Sequence, residues 1–226
     1  DNSGALTDDG LRHLAALPAL EELDLSCPVS RITDRGLEVL RELPALRRFK
    51  MCWAPRVTDD GLALLGACAR LEAVDLMGAH AGDRTLAALG GKAALRSLTT
   101  GRAVTDAGLP LLHRIPAFAQ PGQDARLLLD GPFTDSGLGA LAGLAGLADL
   151  GFFWHATAMT SAGLACLEAL PGLTALACEG NLCDDVAMGH IGRAPALRRL
   201  NAQGTVATDR GFAALARSRT LEELWG

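Results

Sequence analysis

The chain has 226 residues, of which 49% are hydrophobic and 4% aromatic, and its formal net charge is -5 at pH 7. Acidic residues exceed basic ones, so no basic excess exists to neutralise a phosphate backbone, and nucleic acid is not an expected partner. The apolar runs are interrupted well before the roughly 20 residues that span a bilayer. We therefore expect a soluble protein without membrane contact, with a core built from leucine and alanine.

One short motif recurs from residue 7 to residue 208. Its copies are TDDGL at 7, TDRGL at 33, TDDGL at 58, GDRTL at 82, TDAGL at 105, TDSGL at 134, TSAGL at 160, DDVAM at 184 and TDRGF at 208. Successive copies lie 23 to 29 residues apart, a period typical of a unit with one strand and one helix. The nine copies predict about nine stacked repeats, which are numbered here by their motif copies.

Each copy of the motif is typical of a helix start, and a strand is expected to follow that helix. In repeat 2, Thr33 is suited to cap free backbone N–H groups, and Asp34 suits the positive end of the helix dipole. The helix is expected to end near Pro44. A half-buried strand then follows, with three residues directed to the core: Leu46, Phe49 and Met51.

The interval between motif and strand is almost constant. It is 13 residues in eight of the nine copies, whereas Thr105 and Asp124 lie 19 apart because of a six-residue insertion in repeat 5. This register predicts one parallel sheet in which equivalent residues form a buried column. The predicted column is Leu23, Phe49, Val74, Leu98, Leu127, Leu150, Leu176, Leu200 and Leu224.

The stretch LEELDLSCPVSRITDRGLEVL resembles the leucine-rich repeat of the cysteine-containing type, found in the substrate-recognition regions of F-box proteins. The resemblance covers essentially the whole chain, but the sequence contains no F-box, and the Cys or Asn of the ninth strand position occurs only as Asn181. It implies an α/β solenoid of about nine repeats, a curved horseshoe with a parallel sheet on the concave face and short helices on the convex face. We expect one domain over residues 1–226, belonging to a longer chain.

Residues with catalytic or metal-binding chemistry do not converge in the sequence. The motif aspartates occur once per repeat at helix starts, and the five histidines occupy different positions within their repeats, so no triad or metal cluster is indicated. Six cysteines without a CxxC pair predict reduced thiols and a cytoplasmic location. Cys68, Cys178 and Cys183 occupy core positions, whereas Cys27 and Cys52 are expected on the exposed strand face.

The exposed face of the sheet changes character along the chain. In repeats 1 to 4 opposite charges alternate between neighbouring strands, which predicts a self-neutralised charge ladder: Glu21, Arg47, Glu72, Arg96, and Asp24, Lys50, Asp75. Further along, charge decreases and aromatic residues appear. We expect a concave partner-binding patch with arginines on its edge, because exposed aromatics and arginine are enriched at interface hot spots. Its predicted members are Trp53, Arg102, Arg126, Leu128, Phe153, Trp154 and His155.

Two other arrangements of these aromatics remain open at this point. In the first, Phe153 and Trp154 fold over the rim and cover their own loop. In the second, they pack under the insertion at residues 117–123. The sequence as a whole predicts a protein–protein recognition module without catalysis, metal, cofactor or small-molecule substrate. The alternative is a regulatory arm of a larger protein that docks on its own effector or enzyme domain.

Overall fold

The computed structural model describes residues 5–27, 31–153 and 155–226. Over these residues nine strands form one parallel sheet whose spatial order follows the chain. The strands are β1 (Glu22–Asp24), β2 (Arg48–Lys50), β3 (Ala73–Asp75), β4 (Ser97–Thr99), β5 (Ala125–Leu129), β6 (Leu147–Phe152), β7 (Ala175–Ala177), β8 (Arg199–Asn201) and β9 (Glu223–Trp225).

Short helical segments connect the strands across the core. The α-helices are α1 (Asp8–Arg12), α2 (Asp34–Leu37), α3 (Asp59–Leu62), α4 (Asp83–Leu89), α5 (Pro116–Ala119), α6 (Asp135–Leu138), α7 (Asp185–Ile191) and α8 (Asp209–Leu215). Tighter 3-10 segments are His13–Ala16, Glu38–Glu42, Ala63–Ala67, Leu109–Arg114, Gly139–Leu141, Ser161–Ala169 and Gly180–Leu182. Helical segments need more room side by side than strands that are about 4.8 Å apart, so such a stack curves with its sheet on the inside. No described helix is long and apolar enough to cross a bilayer.

The predicted register is confirmed along the whole sheet. Leu23 pairs with Phe49, and the same column continues strand by strand to Leu200 and Leu224. The seven inner members are buried, with at most 2% exposure. The burial prediction is wrong at the two ends, where Leu23 is half-buried and Leu224 is 46% exposed. Each of these end strands pairs with a neighbour on one side only.

The motif residues connect neighbouring repeats, and the expected helix capping occurs in only some of the described copies. Asp8 of repeat 1 accepts bonds from Thr33 of repeat 2, from the backbone N at 2.8 Å and from Oγ1 at 2.6 Å. In repeats 2, 3 and 6 the threonine hydroxyl forms no cap bond with its own helix, whereas Thr160 and Thr208 accept the expected cap bonds from Ala162 N and Arg210 N. The same bond joins further pairs: Asp34 to Thr58, Asp83 to Thr105, Asp106 to Thr134, Asp135 to Thr160 and Asp185 to Thr208.

The motif glycine permits this contact. A Cβ atom at Gly36 would lie 2.5 Å from Oδ1 of Asp8, closer than any side chain tolerates. The motif glycines of repeats 3, 5, 6, 7 and 9 face the preceding aspartate in the same way. Thr, Asp and Gly are therefore three parts of one inter-repeat contact.

The insertion in repeat 5 forms α5 and a turn at the start of β5. Phe118 is fully buried, and its carbonyl accepts a bond from the backbone N of Gly146, the residue before β6. The insertion thus lies at the amino edge of the strands, whereas Phe153 follows the carboxyl end of β6. Packing of Phe153 under the insertion is therefore wrong.

The predictions for the cysteines have different outcomes. Cys68, Cys178 and Cys183 are buried as expected, but Cys27 and Cys52 are also buried, at 3% and 5% exposure, so their predicted exposure is wrong. Both follow the ends of short strands, where the backbone pairing continues from Cys27 N to Cys52 O.

The charge ladder of the first repeats is confirmed in part, since Arg96 bonds to Gln123 and Asp24 accepts a bond from Ser26, and among the described residues neither forms an ion pair along the ladder. Arg47 pairs with Glu21 and Glu72, and Lys50 Nζ lies 3.5 Å from Asp75 Oδ2.

Candidate partner-binding surface

The predicted patch residues fall into two groups. Arg126 and Leu128 lie within β5, while Trp53 and Phe153 lie in the loops after β2 and β6. His155 follows Phe153, Arg102 is in the loop after β4, and Trp154 lies outside the described residues.

The loop residues form an aromatic cluster, defined here as Trp53, Phe153 and His155. The ring centroids lie 6.2 Å apart for Trp53 and Phe153, 5.9 Å for Trp53 and His155, and 5.7 Å for Phe153 and His155. Tilted and edge-on arrangements at such distances are favourable for aromatic rings. The cluster joins repeat 2 to repeat 6, although four strand spacings of about 4.8 Å separate β2 from β6.

Gly78 allows Trp53 to lean toward the centre of the stack. Its φ is +68°, and a Cβ there would lie 2.5 Å from the indole ring of Trp53. Trp53 itself has φ +58° and donates its backbone N–H to the carbonyl of Met77 at 3.1 Å. A left-handed backbone at a tryptophan is uncommon and is held here by this pairing.

Asp130 holds the other side of the cluster. Its carboxylate is fully buried and lies 3.0 and 3.1 Å from His155 Nδ1. Oδ2 also accepts the backbone N–H of Gly78 at 3.1 Å. Asp130 thereby connects the loops of repeats 3, 5 and 6.

Sequence reasoning did not identify Asp130 as part of this surface. Gly78 and Asp130 are 52 residues apart and belong to repeats that are not adjacent. The interval between the motifs of repeats 4 and 5 is 23 residues, the shortest in the chain. A short loop in repeat 4 permits contact between repeats 3 and 5. The short interval between motifs was the feature of the sequence that could have indicated this contact.

Arg102 borders the surface beside His80. The guanidinium contacts the Nε2 atom of His80, which is the accepting nitrogen of a neutral ring. Burial, together with the charge of Arg102, lowers the pKa of His80. The pair therefore presents one positive charge, carried by Arg102.

A concave groove adjoins the cluster on the sheet face. We define it by Lys50, Asp75, Met77, Thr99, Arg126 and Leu128, which line a cavity of about 450 Å³ together with their neighbours. Arg126 is largely exposed and its Nε lies 3.5 Å from Oδ2 of Asp149. The groove continues to the cluster through Met77, whose carbonyl receives the Trp53 N–H.

The surface combines aromatic contact area with charged groups. Among the described residues no three His, Cys, Asp or Glu side chains are grouped in a way that would hold a metal ion. Trp53 is 36% exposed at the edge of the groove. Aromatic area bordered by arginine is suited to binding another macromolecule.

Comparisons with known proteins identify the fold. A scan against protein-family models finds no match. The chain is similar to a chain in the crystal structure of the Rad7 and Elc1 complex in yeast, with a TM-score of 0.51 and 17% identity, covering 98% of this chain and 66% of that one. It is also similar to a chain of the TLR13–ssRNA13 complex, with a TM-score of 0.50 and 16% identity, covering 94% and 37% respectively.

The chain thus spans about two thirds of the length of the first of these proteins and little more than a third of the second. Both are leucine-rich repeat proteins. At these identities the likeness concerns the fold alone. Together with the nine parallel strands of the described chain, it shows that this protein has the leucine-rich repeat solenoid fold.

Proposed function

We propose that this chain is a protein-recognition module that binds through the aromatic cluster and the adjoining concave groove, without catalysis. The observation that carries the proposal is the convergence of Trp53, Phe153 and His155 from repeats 2 and 6 at the edge of the groove. Such rings are rigid and large, so a partner gains contact area at little cost in side-chain entropy.

The partner in this proposal is a protein, either separate or another domain of the same protein. The net charge of -5 opposes binding to a phosphate backbone. Basic groups in the groove are balanced locally, Lys50 by Asp75 and Arg126 by Asp149. The complexes named for the structural neighbours contain a protein, Elc1, in one case and an RNA in the other, so a test must include both classes.

Capture of a partner with matched variants tests the proposal. Extract from the native source would be passed over immobilised wild-type chain and over the variants Trp53→Ala and Trp225→Ala. Trp225 is 52% exposed on β9 and is not part of the cluster, so it controls for the loss of an exposed indole. Trp53→Ala is expected to weaken partner binding by about 2 kcal/mol, whereas Trp225→Ala should leave it unchanged.

Chemical denaturation of each variant separates binding from folding. If Trp53→Ala lowers stability and leaves partner binding intact, the cluster is structural and the proposal is wrong. Trp154→Ala tests a second residue of the predicted partner-binding patch in the same way. A captured partner whose binding is removed by nuclease would assign the surface to nucleic acid.

A further inference from the structure

A second cavity is lined in part by Phe153. It has a volume of about 970 Å³ and lies at the carboxyl ends of β6, β7 and β8, between the loops that follow them. Phe153 forms an aromatic wall, while Glu179, Asn181, Gln203 and Asp184 line the polar side. We call it the loop pocket. Its aromatic wall is shared with the cluster, so a partner on the cluster would cover it.

Two glycines with a left-handed backbone shape the loops that line the loop pocket. Gly180 has φ +59° and Gly204 has φ +66°, and both line it. No atom lies within 4 Å of a Cβ placed at Gly180, and one placed at Gly204 would have only the backbone of Gly180 near it, at 3.9 Å. The backbone N of Gly180 donates to the carbonyl of Gln203 at 2.9 Å, which joins the two loops. The opening is thus built into a bonded pair of loops.

The polar side of the loop pocket is acidic. Of the described residues that line it, Glu179 and Asp184 are charged, and none is lysine, arginine or histidine. Asp184 is held in place, since it accepts bonds from Ser161 Oγ and from the backbone N of Val186 and Ala187. Glu179 is exposed, and Asn201 Nδ2 donates to its Oε1 at 3.1 Å. The loop pocket is therefore lined by a carboxylate held by Asn201, that of Glu179, and by an aromatic residue, Phe153.

A carboxylate opposite an aromatic ring is complementary to a long cationic side chain. The aliphatic stem and the cation both pack favourably on an aromatic ring. Carboxylate and amide oxygens, which Glu179, Asn181 and Gln203 supply in this lining, accept hydrogen bonds from such a charged head. The chain's net charge of -5 also attracts a basic partner at long range.

We propose that the loop pocket binds an arginine or lysine side chain of the partner, with its head at Glu179 and its stem along Phe153. This inference rests on the proposed function and adds to it the chemistry of the partner's contact residue. Arginine is among the residues most enriched at interface hot spots.

Titration with a small probe tests the loop pocket without the partner. N-acetyl-arginine amide would be added to the isotope-labelled chain and followed by amide chemical shifts in NMR spectra. N-acetyl-citrulline amide, which replaces the guanidinium with a neutral urea of similar shape, is the matched control. Saturable shifts are expected at Asn181, Gln203 and Gly204, with citrulline binding weaker by about tenfold.

Variants assign the binding to Glu179. Glu179→Gln is expected to weaken arginine binding by about tenfold, and Gln203→Arg, which places a cation in the pocket, should abolish it. Glu223→Gln removes an exposed carboxylate from β9 and should change nothing. Equal binding of citrulline, unsaturable shifts spread over the surface, or full binding by Glu179→Gln would each overturn the inference.

The experiments can reject the loop pocket and the proposed function independently of one another. Loss of partner binding on Trp53→Ala with no arginine binding would retain the recognition module and remove the loop pocket from it. Arginine binding with no effect of Trp53→Ala on the partner would retain the pocket and reject the cluster as the docking surface.

Discussion

At the scale of single residues, three irregular motif copies, in repeats 4, 7 and 8, show which atoms of the motif matter. In repeat 4, GDRTL replaces the threonine with Gly82 and the glycine with Thr85. Asp59 then accepts the backbone N–H of Gly82 at 2.7 Å and the hydroxyl of Thr85 at 2.6 Å. The hydroxyl has changed position, but the carboxylate still receives one O–H from the next repeat, and the backbone N–H groups of Arg84 and Thr85 add to that of Gly82.

In repeats 7 and 8 the donor and acceptor exchange places. Ser161 stands where other repeats have the aspartate, and Asp184 stands where the next repeat has the threonine. Ser161 Oγ donates to Asp184 Oδ2 at 2.8 Å. Two departures that look independent in the sequence therefore compensate one another.

This exchange predicts strong coupling between the two positions. Ser161→Asp alone places two carboxylates in contact and should destabilise the fold by about 1 to 3 kcal/mol. Combining it with Asp184→Thr recreates the standard pair, so the double variant should recover stability, with a coupling energy of about 0.5 to 3 kcal/mol. Urea unfolding of the wild type, both single variants and the double variant measures this coupling energy. Additive effects would contradict the exchange.

At the scale of elements, no strand is stable by itself. Seven of the nine strands over the described residues contain three residues, and each depends on its neighbours for hydrogen bonds and for burial of its central side chain. The same central position is fully buried at Leu150 in β6 and 46% exposed at Leu224 in β9. The two leucines thus form a natural comparison.

We expect Leu150→Ala to lower the free energy of unfolding by about 2 to 5 kcal/mol, because it leaves a cavity between two repeats. Leu224→Ala is the control and should cost less than about 1 kcal/mol, since Leu224 is already 46% exposed to water. Chemical denaturation of both variants checks the prediction. Equal losses would show that burial in the column does not govern stability.

At the scale of the whole molecule, the inter-repeat carboxylates make stability depend on pH. Burial raises the pKa of Asp59, but bonds from Thr85, Gly82 and Arg84 outweigh it and the pKa lies below its usual value. Bonds from the backbone and the hydroxyl of Thr208 lower the pKa of Asp185. A lowered folded-state pKa means that the folded chain binds fewer protons than the unfolded chain in acid.

The stability that these carboxylates contribute is therefore present above the unfolded pKa of about 3.9 and is lost as the pH falls through the lower folded value. We expect Asp59→Asn to flatten the fall of the melting temperature between about pH 5 and pH 2. Asp209→Asn is the control, because it changes the same motif position in repeat 9, where the described structure shows no bond from a following motif. It should retain the wild-type dependence of the melting temperature on pH. An unchanged slope for Asp59→Asn would contradict the linkage.

The sequence by itself determined the repeat number, the strand register and the buried column, because these follow from local periodicity. A residue such as Leu150 occupies the same place in each unit, so its environment can be read from its neighbours in the pattern. The charge ladder from Glu21 to Glu72 was predictable for the same reason.

The tertiary structure alone decided the contacts that cross repeats. Whether the motif aspartate caps its own helix or binds the next threonine depends on the stacking distance, which no single unit contains. The aromatic cluster depends on Gly78, Asp130 and a short loop in repeat 4, which together bring repeats 2 and 6 into contact. Long-range contacts of this kind arise from the exceptions to a repeat, whereas a periodic pattern describes only what the repeats share.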